Sequence, residues 1–339
     1  MKKILLLFLV ITSLENFSQA TLVSDINQGN NSSSPSTKIT FKNKTYFVAD
    51  DGIHGKELWQ TDGTATGTTL FKDITTGISD SFGGDFFGAA LFYGYVAGDN
   101  LYFFALDGTS GYNLWKTDGT SANTIKLKSF GNNNPGSNYY SSINNNLIFT
   151  SRVDNTEALW MSEGTEAGTI KLKDISVSEM IKNGDEVLFS GKDGQGAGTE
   201  LWKTDGTEAG TVLVKDIRDS GDSSPQRFGV ANGNVFFSAN DGSAGGDLWM
   251  SDGTEAGTVK VKDFTSNSTL ARLNGIIKVY NNEAYFRVGL FDIWKTDGTE
   301  SGTVKFLNTK PQQMSSADII NNKLIVFATA GYFWTSDGT

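Results

Sequence analysis

Between Thr211 and Gly257 apolar and polar positions alternate in short bursts. TVLVKDI is followed by the polar stretch DSGDSSP, then by FGVANG, NVFFSAND and GDLWMSDG. Each apolar run is β-branched or aromatic, close to period two, and ends on an NG, DG or glycine-rich turn. That pattern predicts four strands joined by tight connections. No stretch after the first twenty residues shows the 3.6-residue period of an amphipathic helix. The unit then recurs, most visibly in its last strand: ELWQTDGTATGT from Glu57, NLWKTDGTSANT from Asn113, ALWMSEGTEAGT from Ala158, ELWKTDGTEAGT from Glu200, DLWMSDGTEAGT from Asp247, DIWKTDGTESGT from Asp292 and YFWTSDGT from Tyr332. All seven tryptophans lie in this motif, at positions 59, 115, 160, 202, 249, 294 and 334, so successive copies are 56, 45, 42, 47, 45 and 40 residues apart. A repeat of ~40–50 residues holding four strands has the length of a propeller blade, whereas leucine-rich and β-helical repeats are shorter. The expected fold is therefore all-β, a seven-bladed β-propeller of four-stranded blades spanning residues 21–339 as one domain.

The recurring residues suit building work. Asp62, Asp118, Asp205, Asp252, Asp297 and Asp337 each precede a glycine that can take positive φ. Their carboxylates can accept backbone N–H groups while the flanking threonines cap the reversal. Trp59, Trp115, Trp160, Trp202, Trp249, Trp294 and Trp334 are large enough to fill the wedge between neighbouring blades, provided each indole N–H finds a partner.

The two ends of the chain complement each other. MKKILLLFLVITSLENFSQA has two lysines, an apolar run from Ile4 to Ile11 and a small-residue end, the form of a secretory signal peptide cut after Ala20. Nothing further along is apolar enough to cross a bilayer, so a soluble, exported, monomeric product is expected. After the cut, TLVSDINQGNNSSSP matches TVLVKDIRDSGDSSP, while the last copy stops at SDGT, where the others run on into a strand. Thr21 to Ile26 is thus expected to pair onto the last blade and close the ring, removing exposed sheet edges; an open solenoid is the alternative.

Composition narrows the chemistry. Formal charge is −10, and without Lys2, Lys3 and Glu15 it is 26 bases against 37 acids, or −11. With no basic run, nucleic acid is excluded as a partner. The absence of cysteine removes disulfides, thiolate nucleophiles and zinc ribbons, and a single histidine, His54, removes serine-protease-like triads and histidine-rich metal sites. Asp216, Asp219 and Asp222 form an acid-rich loop that could suit Ca²⁺, although Asp216 recurs as Asp25, Asp73, Asp174 and Asp263 and so belongs to the repeat.

These motifs resemble the ELWxxDGT repeat of exported and surface proteins of bacteria. The likeness covers nearly the whole chain after residue 20: seven copies keep the tryptophan and six keep Asp-Gly-Thr, with Glu163 in the third. It implies location more than activity. Many members carry a C-terminal domain for type IX secretion, and none follows Thr339 here. A second likeness is to the tryptophan-docking motif of quinoprotein propellers, carried by Ala49, Asp51, Gly55, Lys56, Glu57 and Trp59. Ala105, Asp107, Gly111 and Trp115 keep its skeleton, as do Ala239, Asp241, Gly245 and Trp249. That motif implies blade locking rather than a quinone. The DGT turns are also similar to sialidase Asp-boxes, whose sites need an arginine cluster; Arg152, Arg218, Arg227, Arg272 and Arg287 are spread over different repeats.

Function is expected where repeats differ. The connection after the first repeat, TTGISDSFGGDFFGAA, offers Phe82, Asp85, Phe86 and Phe87, and the next, GNNNPGSNYYSS, offers Tyr139 and Tyr140. On one face these could bind a glycan or a protein without catalysis, with no cofactor beyond the possible Ca²⁺. The alternative is a glycan-active hydrolase or lyase using Asp, Glu, Tyr and Arg on one face of the ring.

Overall fold

The computed structural model describes residues 21–29, 31–83, 94–131, 139–243, 246–264, 278–289, 292–308, 314–321, 323–328 and 333–337. Strands form seven antiparallel sheets in chain order, and no helix occurs among the described residues. Six sheets are four-stranded meanders and the seventh has three strands among the described residues. The first sheet sets the pattern with Ser36–Phe41, Lys44–Asp50, Lys56–Thr61 and Thr69–Lys72. Its first hairpin turns at Lys42 and Asn43, both at positive φ, which matches the right-handed twist of the strands; Asn144 and Asn145, and Asn281 and Asn282, repeat the device.

The first strands of consecutive sheets lie side by side along the whole series, from Ser36–Phe41 next to Gly94–Ala97 through to Lys278–Tyr280 next to Met314–Ile320. Sheets radiating from a run of neighbouring inner strands are the arrangement of a β-propeller. Six hydrophobic clusters fill the six junctions. Trp202, for example, packs with Ile148 and Leu172 of the third sheet, Ile175 of the connection that follows it, and Val187 and Phe189 of its own sheet. Trp115, Trp160, Trp249, Trp294 and Trp334 occupy the same place at the other five junctions. The register between third and fourth strands slips by one residue just before each of the first six tryptophans. This bulge turns Phe71, Leu127, Leu172, Val214 and Val261 inward to the core.

Two expectations change. The indole N–H of Trp59, Trp115, Trp160, Trp202, Trp249 and Trp294 has no acceptor among the described residues, so these rings act through packing and, at Trp160, Trp202 and Trp294, through a lysine ammonium over the ring face. Closure by the N-terminal strand is not seen among the described residues: residues 21–26 carry no strand, with Leu22 83% exposed, and among the described residues no cluster joins the seventh sheet to the first. The loop half of the same segment nevertheless docks as its repeat relatives do. Ser33 O accepts Asp50 N–H at 2.9 Å, as Ser223 O accepts Asn240 N–H at 2.9 Å and Ser81 O accepts Leu106 N–H at 2.8 Å.

Candidate functional site

The motif residues are occupied. Asp205 Oδ1 accepts both the N–H and the hydroxyl of Thr207, at 2.8 and 2.7 Å, and Gly206 sits at φ +92°. Asp62, Asp118, Asp252 and Asp297 repeat this cap, and Glu163 accepts the Thr165 hydroxyl in its own copy. Thr204 and Thr211 close the turn hydroxyl to hydroxyl at 2.8 Å. The carboxylate folds over Gly210, where a Cβ would lie 2.1 Å from it. In the second repeat Asn123 stands in that place and instead donates to Asp118 at 2.7 Å. Asp337 follows the last strand, Phe333–Ser336, and its carbonyl accepts from Asn281 at 3.2 Å.

A role the sequence did not reveal belongs to the acid before Leu-Trp. Glu57, Glu200 and Asp247 are all fully buried. Glu200 accepts Ile217 N–H at 2.8 Å, Ser223 N–H at 2.9 Å and the Ser223 hydroxyl at 2.5 Å. Glu57 does the same for Ile74, Thr75 and the Ser81 hydroxyl, and Asp247 accepts Phe264 N–H. Each carboxylate thus clasps the linker leading to the next sheet. Burial outweighs these donors and pushes Glu57 up to about 7; it raises Glu200 and Asp247 as well. The signal was there to read: an acid or amide at the same strand position in five copies (Glu57, Asn113, Glu200, Asp247, Asp292).

Antiparallel pairing brings the linkers, the starts of the first strands and the ends of the second strands to one edge of every sheet. On this edge the expected ligand residues divide. Phe82 is only 2% exposed and packs in the junction between sheets one and two, so it is core and not loop surface. Asp85, Phe86 and Phe87 lie outside the described residues. Tyr139 and Tyr140 are half-buried, leaning on the third and second junctions. Tyr140 stacks on Tyr95, with ring centroids 5.8 Å apart and planes at 22°. Tyr95, on the neighbouring inner strand, was not singled out from sequence.

The other candidates are engaged locally. Asp222 accepts Thr199 N–H at 2.7 Å and pairs with Lys192 at 3.1 Å, the part Asp80 plays for Lys56. Asp216 and Asp219 do not gather with it into a metal-holding group among the described residues. His54 Nδ1 meets Asp51 Oδ2 at 2.7 Å, and that bond raises the histidine pKa. Two arginines from different repeats lie on strands that are in contact. Arg227 opens the inner strand Gln226–Ala231 and Arg287 sits near the end of Glu283–Val288 in the next sheet, these strands being in contact. Burial first, and the Arg227 charge second, lower the Arg287 pKa.

No protein-family model matches the chain, and no curated protein matches it. Among solved structures, the computationally designed Ika8 protein aligns at 14% identity over 89% of this chain and 82% of its own, TM-score 0.48. A catalytically inactive virginiamycin B lyase from Staphylococcus aureus with quinupristin aligns at 14% over 91% and 96%, TM-score 0.43. The β-propeller domain of the Trilobed protease from Pyrococcus furiosus, described as an open velcro topology, aligns at 12% over 82% and 85%, TM-score 0.41.

Proposed function

We propose that this chain is an exported, non-enzymatic binding propeller of the ELWxxDGT-repeat kind, and that its ligand is a glycan held at the edge where linkers and inner-strand starts meet. The observation that carries this reading is the half-buried Tyr95–Tyr140 stack on adjacent inner strands. Aromatic rings fixed by packing offer a flat apolar surface to a sugar face at little cost in side-chain entropy. Export rests on the signal-like residues 1–20, and among the described residues no helix is long and apolar enough to cross a membrane.

A hydrolase or lyase needs a proton donor or acceptor in reach of ligand. The acids whose pKa is raised, Glu57, Glu200 and Asp247, are instead buried in linker clasps, so their shifts report architecture. The binder is therefore preferred. We also propose that seven sheets form the complete ring, with residues 21–26 as the outer strand of the seventh.

The deciding experiment is a glycan array with purified Thr21 to Thr339 alongside Tyr95→Ala/Tyr140→Ala. Binding that disappears in the variant, at unchanged melting temperature, supports the reading. Binding that survives in full places the ligand elsewhere, and no binding by either protein refutes glycan recognition in favour of a protein partner or a structural role.

A further inference from the structure

The junction between sheets six and seven departs from the other five. In those five, the apolar residue that ends the outer-strand motif packs beside the next sheet's tryptophan: Ile74, Phe130, Ile175, Ile217 and Phe264. Two of these fillers are aromatic. Phe130 stands edge-on to Trp160 with ring centroids 5.1 Å apart, and Phe264 stands edge-on to Trp294 at 5.2 Å. Two positions before the filler every one of these copies has lysine, and Lys128, Lys173 and Lys262 hold their ammonium over the face of the next tryptophan. The sixth copy reads VKFLNT from Val304. Leu307 replaces the lysine, and Thr309, outside the described residues, replaces the isoleucine or phenylalanine.

Both changes fall on one junction, and space opens there. A groove of about 240 Å³ is walled by Phe306 and Leu307 on the outer strand Val304–Asn308, by Leu324 and Val326 on Lys323–Ala328, and by Trp334 on Phe333–Ser336. Phe306 is half-buried, whereas its counterparts Phe71, Leu127, Leu172, Val214 and Val261 are buried. Tyr285 packs edge-on against it at 5.2 Å and Lys295 Nζ lies 5.8 Å from its centroid, so this wall is fixed by packing. Interiors are close-packed, and apolar space of this size forfeits dispersion contacts on every wall until something fills it. A cavity of about 150 Å³ takes up benzene, so this one has room for one ring or two fused rings. From this geometry we infer that the groove is a binding site for a small uncharged aromatic molecule, its ring set against Trp334 as Phe130 and Phe264 are set against their tryptophans. The outer strand proposed for residues 21–26 does not compete for it. Val214, whose place Val23 takes in the repeat, packs toward the following sheet, so Val23 would face away from sheet six. The site is independent of the glycan-binding reading and stands or falls without it.

The test is calorimetric titration of Thr21 to Thr339 with indole, with benzylamine as a cationic counterpart and cyclohexanol as a non-aromatic one, repeated for Thr309→Phe and Leu307→Lys. Indole is expected to bind with a dissociation constant on the order of 0.1 mM. Benzylamine should bind about tenfold more weakly, because its ammonium must be desolvated against apolar walls, and cyclohexanol about fivefold more weakly. Thr309→Phe restores the filler of the other junctions and should abolish indole binding while melting at or above the parent's temperature. Leu307→Lys restores the usual lysine and should weaken indole about fivefold, with the melting temperature within about 2 °C of the parent; it decides the matter if Thr309→Phe does not fold. No indole binding by the parent overturns the site. So does indole affinity that Leu307→Lys and a folded Thr309→Phe leave unchanged, since the molecule then sits elsewhere. Benzylamine or cyclohexanol binding as tightly as indole overturns the assignment of an uncharged aromatic ligand.

Discussion

Glu57 makes the linker clasp measurable through pH. Its ordinary carboxyl pKa of 4.5 is pushed up to about 7 by burial, against the donors of Ser81, Ile74 and Thr75. Because the folded-state value lies above the unfolded one, the stabilising contribution is complete below pH 4.5 and is lost as pH rises through about 7. The interval corresponds to about 3 kcal/mol at full ionisation. Glu200, Asp247 and His54 are shifted in the same sense, so the parent's total loss over this window is larger than the Glu57 share. Asp107 and Asp241 are shifted down, and their contribution fails only in stronger acid. Glu57→Gln keeps the shape and removes the titration. One amide donor then faces the linker's own donors, a constant penalty of about 1–2 kcal/mol at every pH. Thermal melts at pH 4.5, 6 and 8 should therefore show the parent losing stability with rising pH. The variant should start lower and fall less, the two curves converging by about 5 °C over the range. Parallel curves across all three pH values would refute the argument that burial of this carboxylate sets the slope.

Gly210→Ala should lower stability by about 1 kcal/mol, because the new Cβ meets the Asp205 carboxylate and displaces the cap, whereas Gly210→Asn should be nearly neutral by analogy with Asn123; denaturant midpoints decide between them. Trp202→Ala should cost about 3–5 kcal/mol in the same assay, and Trp202→Phe much less, since the indole N–H forms no bond to lose. His54 is the single histidine, so its proton NMR titration is unambiguous: an apparent pKa above 6.5 is expected, with Asp51→Asn returning it toward that value.

Strands, turns and the place of tryptophan were legible because a period of two, positive-φ turn residues and a fixed spacing are local signals. The Asp205 cap was readable for the same reason, as its partners lie within two residues. Glu200 was not, since its partners Ile217 and Ser223 are 17 and 23 residues away, in a linker whose path only the stacked sheets define. Phe82 misled because an aromatic among loop glycines looks exposed, and nothing local shows the linker diving into the junction where Leu101 and Phe103 receive it. The contact between the strands that carry Arg227 and Arg287 joins neighbouring sheets, which a one-dimensional spacing cannot express.

The described residues form no closed sheet, and the repeat itself supplies a geometric test of closure. In sheet four Lys215 faces Leu201 and Leu213 faces Trp202. Aligning TLVSDI with VLVKDI puts Ser24 where Lys215 stands, and Phe333 of the last strand corresponds to Leu201. A groove lined by Phe306, Leu307, Leu324, Val326, Trp334, Thr335 and Ser336 runs beside that last strand, and Phe333 is 64% exposed. An incoming strand would cover both, and would place Leu22 and Val23 against apolar partners in place of water. Ser24 and Phe333 would then be cross-strand neighbours with Cα atoms about 4.5–5.5 Å apart, within the range a disulfide spans. Since the chain has no other cysteine, Ser24→Cys/Phe333→Cys should oxidise to a single intramolecular bond, with a melting temperature raised by reduction-sensitive degrees. Single-cysteine variants should give only intermolecular dimers. A double variant that stays reduced under mild oxidant, or that cross-links only between molecules, would mean that residues 21–26 do not complete the seventh sheet, and that its edge is covered by something other than this chain's own beginning.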